Sequence, residues 1–175
     1  MPWRSLGALL ATPLFAVAGV ISSGSVTIPG TWSFDFDAGV VDTLSDPEAD
    51  VFWEQFTSTT RALEPANGAL IVNIGVVSFA DETLADLEAL SYGAAGIDGS
   101  DTTSVLVSGD VFALETNAGN FAKVLVTGPL APGSDNGLQI QWETDSPAVP
   151  EPGGPVLCLA GIAGLALLRR ILRVS

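Results

Sequence analysis

Residues 111–127, VFALETNAGNFAKVLVT, predict the fold more directly than any other stretch of the chain. Two apolar runs, Val111–Thr116 and Phe121–Thr127, flank the short segment Asn117-Ala118-Gly119. Glycine adopts positive φ without steric cost, so Gly119 suits the loop of a tight turn. The runs are also rich in residues that favour β-strands. The stretch therefore predicts an antiparallel hairpin.

Two neighbouring segments extend this prediction. In Leu138–Glu143 the apolar residues Leu138, Ile140 and Trp142 alternate with polar ones, which is typical of a strand with one buried face. With the hairpin before it, this strand predicts a three-stranded antiparallel meander. Upstream, Asn67-Gly68 is a strong turn signal. It lies between the apolar runs 61–63 and 69–74 and predicts a second hairpin.

The remaining elements indicate a mainly β domain. Trp32, Phe34 and Phe36 alternate with polar residues, and residues 50–56 carry aromatic side chains on both faces of a predicted strand. Residues 81–90, DETLADLEAL, predict one short helix, with acidic residues at its start as the helix dipole favours. The predicted fold is an antiparallel β sandwich or roll with one short helix, over residues 26–146.

The charge of this domain excludes several classes of partner. Arg61 and Lys123 are its only basic residues, whereas all 20 acidic residues lie between Asp35 and Glu151, so this part of the chain has a formal charge of −18. Binding to nucleic acid requires clustered lysine and arginine, and an acidic surface repels phosphate. We expect no nucleic-acid partner and no docking on anionic lipid headgroups.

The residue types that are missing limit the chemistry. The chain has no histidine and one cysteine, Cys158, so an intramolecular disulfide, Cys/His zinc sites and histidine-dependent catalytic triads are excluded. No phosphate-binding glycine loop and no nucleophile beside a base is evident. We expect no catalytic residues, no cofactor and no enzymatic activity.

The N-terminus has the pattern of a secretory signal peptide. Arg4 precedes an apolar stretch, and Ala16-Val17-Ala18 supplies the pattern of small residues that a signal peptidase recognises. The predicted signal peptide is residues 1–18, with Ala16 and Ala18 defining the cleavage site. Cleavage in the region Ser22–Ser25 is an alternative.

The C-terminus has three parts. Residues 147–154 are a linker that contains Val149-Pro150-Glu151-Pro152, residues 155–168 form a predicted transmembrane helix, and residues 169–175 are a basic cytoplasmic tail. Counted from Gly153, the helix has 16 residues and a length of roughly 24 Å at 1.5 Å per residue. A bilayer core is about 30 Å thick, so the anchor is marginal.

This tail resembles the PEP-CTERM sorting signal of Gram-negative bacteria that make exopolysaccharide. The resemblance implies that Pro150, Glu151 and Pro152 are recognised by exosortase, a membrane-embedded cysteine protease that removes the helix. The helix would then be a temporary tether in the inner membrane. The basic residues of the stop signal are Arg169, Arg170 and Arg173. The processed protein would reach the cell surface or the extracellular matrix. The alternative is a plain tail anchor.

A second resemblance concerns the central domain. The strand SFDFDAG, the segment DVFW, the Asn-Gly turn and the hairpin FALETNAGNFAKVLV occur in an order that is similar to the HmuY-like family of surface haem-binding β proteins. The resemblance implies a β fold. It does not imply haem ligated by histidine, because the chain has none.

The candidate binding residues are few. Asp35 and Asp37 are two apart on a predicted strand, so their carboxylates share a face and are weak candidates for holding Ca²⁺. Asp46, Glu48 and Asp50 have the same spacing in a predicted loop. A solvated acidic face is the alternative for both groups. Trp53 is a candidate for stacking on a ligand, with an aromatic core as the alternative. Arg61 and Lys123 are expected to pair with acidic residues.

Together these features predict a secreted, exosortase-processed protein of the envelope or extracellular matrix. Its β domain is expected to be a non-enzymatic structural or interaction module, with exopolysaccharide as a candidate partner. One alternative is a carrier that binds a haem-like ligand or a sugar in an aromatic pocket. Another is a glycosidase that uses paired carboxylates.

Overall fold

The computed structural model describes residues 19–43, 46–103, 105–128 and 137–147. One compact unit spans Ala18–Pro147. Its elements in chain order are β1 (Gly19–Ile28), β2 (Trp32–Asp35), β3 (Val40–Thr43), β4 (Val51–Gln55), β5 (Arg61–Pro65), β6 (Leu70–Gly75), α1 (Leu84–Glu88), β7 (Ile97–Asp98), β8 (Val111–Glu115), β9 (Phe121–Val126) and β10 (Leu138–Ser146).

The strands form two antiparallel sheets of five strands each. Sheet A has the order β1-β10-β9-β8-β6, and sheet B has the order β3-β2-β4-β5-β7. The first strand of the chain therefore lies beside the last one, and the chain passes between the sheets several times.

One hydrophobic core is shared by both sheets. Sheet A contributes residues such as Phe112, Ile140 and Trp142, and sheet B contributes residues such as Phe34 and Trp53. The rings of Phe34 and Trp142 meet edge to face across the core, with centroids 4.9 Å apart. The protein is thus mainly β with one short helix, as the sequence predicts, and the arrangement is consistent with a β sandwich.

The predicted meander is confirmed. β8 pairs antiparallel with β9, and β9 pairs antiparallel with β10. Gly119 has a φ of 81°, as expected for the turn between β8 and β9. Leu138, Ile140 and Trp142 face the core, while the glutamines of the same strand are exposed. Period-two alternation was a reliable signal here because one face of this strand is buried and the other is in water.

The predicted hairpin around Asn67-Gly68 is wrong. Both residues have positive φ, so the turn itself is formed. However, β5 pairs with β4 and β7 in sheet B, whereas β6 pairs with β8 in sheet A. The side chain of Asn67 donates to the main-chain oxygens of Asp46 and Ala49 at 3.0 and 2.8 Å. These bonds hold the turn against the preceding loop, and the chain crosses here from one sheet to the other.

The domain begins before the predicted boundary at residue 26, because β1 begins at Gly19. Its segment Ser22–Ser25 has no alternation of large apolar residues, and pairing with β10 makes it a strand nonetheless. Small residues are required at this place. A Cβ on Gly24 would lie 2.7 Å from the indole of Trp142, which packs on the inner side of β1.

The helix is shorter than predicted. It covers Leu84–Glu88 and not residues 81–90, and it begins with a capping box between Thr83 and Asp86. Leu87 is fully buried, and Tyr92 contacts Phe121 of β9 at a ring distance of 5.9 Å. The segment around α1 therefore covers part of the outer face of sheet A.

The helices that the sequence predicts at the two ends, in residues 1–18 and 155–168, lie outside the described residues. Within the described residues, no helix has the length and apolar character needed to cross a membrane.

A chain reduced to residues 19–147 is expected to fold by itself. This segment contains both sheets and the whole described core, and a unit with its own core is able to fold independently. Urea unfolding followed by tryptophan fluorescence and by circular dichroism is expected to give a single transition with coincident midpoints. Two separate transitions would show that the sheets are not one cooperative unit.

Candidate functional site

Three carboxylates form an acidic cluster at one end of the sheets. One oxygen of each of Asp35, Asp37 and Asp50 lies within 4.8 Å of the others. Asp35 is the last residue of β2, Asp37 lies in the turn to β3, and Asp50 immediately precedes β4. The antiparallel pairing of Phe34 with Val51 brings these strand ends together. Asp50 is fully buried, whereas the other two are partly exposed.

Asp50 links two separate turns. Its Oδ2 accepts a hydrogen bond from the main-chain N–H of Phe36, and its Oδ1 accepts one from the N–H of Asn117, both at 2.8 Å. Phe36 begins the turn after β2, and Asn117 begins the turn between β8 and β9. One buried side chain thus connects a turn of sheet B with a turn of sheet A.

The other two carboxylates also accept hydrogen bonds from nearby turns. Asp35 Oδ1 accepts from the main-chain N–H groups of Asp37 and Ala38 at 2.8 and 2.9 Å. Asp37 Oδ1 accepts from the side-chain amide of Asn120 at 3.1 Å. The acidic cluster therefore holds together the two turns that Asp50 connects.

Burial dominates the electrostatics of Asp50. The pKa of Asp50 is raised from 3.8 to about 7, mainly by loss of hydration on burial and to a smaller degree by the negative charges of Asp37 and Asp35. The hydrogen bonds from Asn117 and Phe36 act in the opposite direction and are the weaker influence. Asp50 thus changes its charge near neutral pH, unlike an ordinary aspartate.

The sequence identified part of this cluster. Asp35 and Asp37 both belong to the cluster, but Asp37 lies in a turn and not on the strand on which their shared face was predicted. Asp50 was grouped with Asp46 and Glu48, which are not in the cluster. The link that sequence reasoning missed is the pairing of β2 with β4. It depends on residues far apart in the chain.

The acidic cluster does not by itself define a metal site. Ca²⁺ takes six to eight oxygen ligands, and the three carboxylates supply only some of these. Both oxygens of Asp50 and one oxygen each of Asp35 and Asp37 already accept hydrogen bonds from the protein. The contacts give the cluster a structural role in joining two turns.

Trp53 is a core residue, so the expectation that it stacks on a ligand is not supported. It is fully buried, and Gly99 packs against its ring so closely that the position has no space for a Cβ. Trp142 is also buried, and its indole N–H donates to the hydroxyl of Ser22 at 2.9 Å. Trp32 keeps 39% of its surface exposed and is the most accessible of these three tryptophans.

The two basic residues of the domain pair with acidic ones, as predicted. Arg61 forms an ion pair with Asp101, and both side chains are buried. Lys123 Nζ lies 3.0 Å from Glu143 Oε1 and 5.0 Å from the centre of the Phe79 ring. Each cation is thus paired with a carboxylate outside the acidic cluster.

The two ends of the domain lie side by side. β1 and β10 are antiparallel neighbours, and Gly19 is paired with Ser146 at the end of this ladder. The two ends of the described domain, Gly19 and Ser146, are therefore adjacent. The sorting motif 149–152, the basic residues 169, 170 and 173, and the cleavage-site residues 16 and 18 lie outside the described residues.

Comparison with known proteins gives no relative. The chain matches no protein-family model, no curated protein and no solved structure. The class that the fold defines is a mainly β protein of two antiparallel sheets, and its function must be inferred from its own residues.

Proposed function

We propose that this protein is exported, processed at both ends, and placed at the cell surface or in the extracellular matrix, where its β domain is a non-enzymatic structural or interaction module. The observation that carries the proposal is the C-terminal order of a Pro-Glu-Pro motif, an apolar run and three arginines. Such a tail fits a temporary tether that a sorting protease of the exosortase type removes.

The bounds of the folded domain support processing after Ala18 and at the C-terminal sorting motif. The described part of β1 lies wholly after the proposed cleavage site at Ala18, and β10 ends at Ser146, just before the proposed linker. Cleavage in the region Ser22–Ser25 would remove residues that pair with β10. Cleavage after Ala18 and within the tail keeps every sheet residue of the described ranges.

The adjacent ends support a tethered intermediate. Pro150 is four residues beyond Ser146, so an extended chain places it at most about 14 Å from the end of β10. A tether at the C-terminus would hold the Gly19–Ser146 end of the domain towards the membrane. The protease would then act close to the folded domain, on a motif whose prolines favour extended backbone.

The surface of the domain supports a role outside the cytoplasm without catalysis. A high negative charge favours solubility and opposes non-specific association. The acidic cluster is occupied in holding two turns, which leaves the glycosidase alternative without a free carboxylate pair there. Trp53, the candidate for stacking on a ligand in the carrier alternative, is fully buried. A sandwich that presents two sheet faces and several turns suits contact with a polymer or a neighbouring protein.

Intact mass spectrometry of the protein recovered from the host's surface fraction and medium tests this proposal. We expect a chain that starts at Gly19 and has lost the residues after the sorting motif. Additional mass at the new C-terminus would identify an attached group. A full-length tail in the membrane fraction would contradict the proposal.

A pair of proline variants separates the motif from general effects on the linker. Pro152→Ala is expected to leave the tail uncut and the protein in the membrane. Pro147→Ala, the matched control outside the motif, is expected to be processed normally. Equal processing of both variants would show that the motif is not recognised.

A further inference from the structure

Among the described strands, β1 is an edge strand of sheet A. It pairs only with β10, and within the described parts of the chain no main-chain hydrogen bond reaches β1 from its other side. Six of its ten residues are exposed. An open edge presents a row of unpaired N–H and C=O groups, which can pair with another extended chain.

The other three sheet edges, β6, β7 and β3, are less accessible for pairing with another strand. β6 is covered by Gly93, which exchanges two main-chain hydrogen bonds with Ile71 at 2.8 and 3.1 Å. β7 has only two residues. β3 has four residues, and one of them, Asp42, is an exposed acid. β1 is therefore the longest accessible edge among the described strands.

The composition of β1 is unusual for this domain. Its ten residues, GVISSGSVTI, contain no charged residue and no proline, although the domain around it is strongly acidic. Lysine and proline are common means of preventing edge pairing, and neither is present. The ladder with β10 has a bulge between Val20 and Ser22, so the regular part of the edge is Ser22–Ile28.

We propose that β1 pairs with β1 of a second copy of this chain, antiparallel and about a two-fold axis at Ser25, so that two copies of sheet A form one continuous sheet. In this register Ser23 of one copy lies opposite Thr27 of the other, and hydroxyl pairs of this kind stabilise antiparallel ladders. Gly24 lies opposite Val26 on the core-facing side. A two-fold axis makes such an interface self-complementary.

Charge selects a second copy as the occupant. Two strongly acidic domains repel each other wherever their acidic residues meet, but the β1 edge brings no charge into the contact. A basic partner would gain no ion pair from the strand itself. On the neighbouring strand β10, Glu143 lies opposite Ser23 and is already paired with Lys123. The proposal concerns the folded domain alone and does not depend on export or processing.

Analytical ultracentrifugation of residues 19–147 over a roughly hundred-fold range of concentration is the first test. We expect dimer formation that becomes stronger with added salt, because salt screens the repulsion between the acidic domains. A monomer at every concentration, or association that weakens with salt, would overturn the proposal.

Charge variants at Ser25 test the position of the interface. Ser25→Lys and Ser25→Glu each place like charges opposite each other at the two-fold axis, and each is expected to raise the dissociation constant at least about tenfold. An equimolar mixture of the two variants is expected to restore the dimer, which a folding defect would not permit. Failure of the mixture to associate would refute the proposed register.

Ser58→Lys is the matched control. Ser58 is an exposed serine in the turn between β4 and β5 of sheet B, and its side chain has no part in the proposed contact. This variant is expected to dimerise like the wild type. Loss of the dimer in Ser58→Lys as well would show that added positive charge, and not the β1 edge, controls association.

Discussion

The stability advantage of the wild-type protein over an Asp50→Asn variant is expected to shrink by about 3 kcal/mol between about pH 5 and about pH 8. Burial raises the pKa of Asp50 to about 7, from an ordinary value of 3.8. Between these two values the folded state binds a proton that the unfolded state has released. Folding stability therefore falls as pH rises through this range, and the fall ends above the folded-state pKa. Asparagine does not titrate, so the variant lacks this dependence.

Urea unfolding of both proteins at the two pH values measures the effect as a double difference. Other titrating groups, such as Asp145, whose pKa burial also raises, contribute to both proteins and cancel. A chelator is included, because a cation near the three carboxylates would favour ionised Asp50. Asp46→Asn, in the same loop but outside the acidic cluster, is the control and is expected to follow the wild type. Parallel pH profiles for wild type and Asp50→Asn would contradict a raised pKa.

Replacing Asp101 by alanine is expected to destabilise the protein by about 3–5 kcal/mol. Asp101 is the acidic partner of Arg61, and the two side chains are only 7% and 1% exposed. Removal of the carboxylate leaves a guanidinium in the interior without its counter-charge. Arg61 also donates to the main-chain oxygen of Ser58 at 3.3 Å, and this contact is too weak to replace the ion pair.

A double-mutant cycle separates the ion pair from packing. Arg61→Met is expected to be destabilising as well, because it leaves Asp101 buried with no cation. The double variant is expected to cost less than the two single variants together, by about 1–3 kcal/mol. Glu143→Gln provides the comparison: this carboxylate is 34% exposed in its pair with Lys123, so water screens the pair more, and its loss is expected to cost less than the loss of Asp101. Strict additivity of the Arg61 and Asp101 variants would show that the two charges are not coupled.

The sequence predicted those elements whose pattern is local. The meander β8–β9–β10 has a turn glycine and strict alternation, and both are properties of neighbouring residues. The pairing of Arg61 and Lys123 with acids was predictable because they are the only cations among many acidic residues. The partners themselves, Asp101 and Glu143, required the fold.

The predictions that failed concern features that depend on pairing between distant parts of the chain. The Asn67-Gly68 turn was identified, but turn chemistry does not determine which sheet each flanking strand joins. Only the long-range pairing of β6 with β8 decides this. β1 was missed because Ser and Gly give no strand signal by themselves. The sequence also gives no sign that Asp50 lies beside Asp35, because the two residues are brought together by the pairing of β2 with β4 across a loop.

The pairing of β1 with β10 also determines when the protein can complete its fold. Of the described strands, β1 emerges first from any process that delivers the chain from its N-terminus, yet β10, its partner among these strands, is delivered last. Contacts of such long sequence separation form slowly, because the entropy cost of closing the long loop between them comes before the contact stabilises the chain. Until residues 138–146 arrive, β1 has no partner within its own domain, and Trp142 is not in place to close the core. The fold can therefore be completed only after the whole domain has been delivered. In a chain that is interrupted before β10, β1 and β9 each keep an open edge, whereas in the finished domain β10 joins them in one continuous sheet.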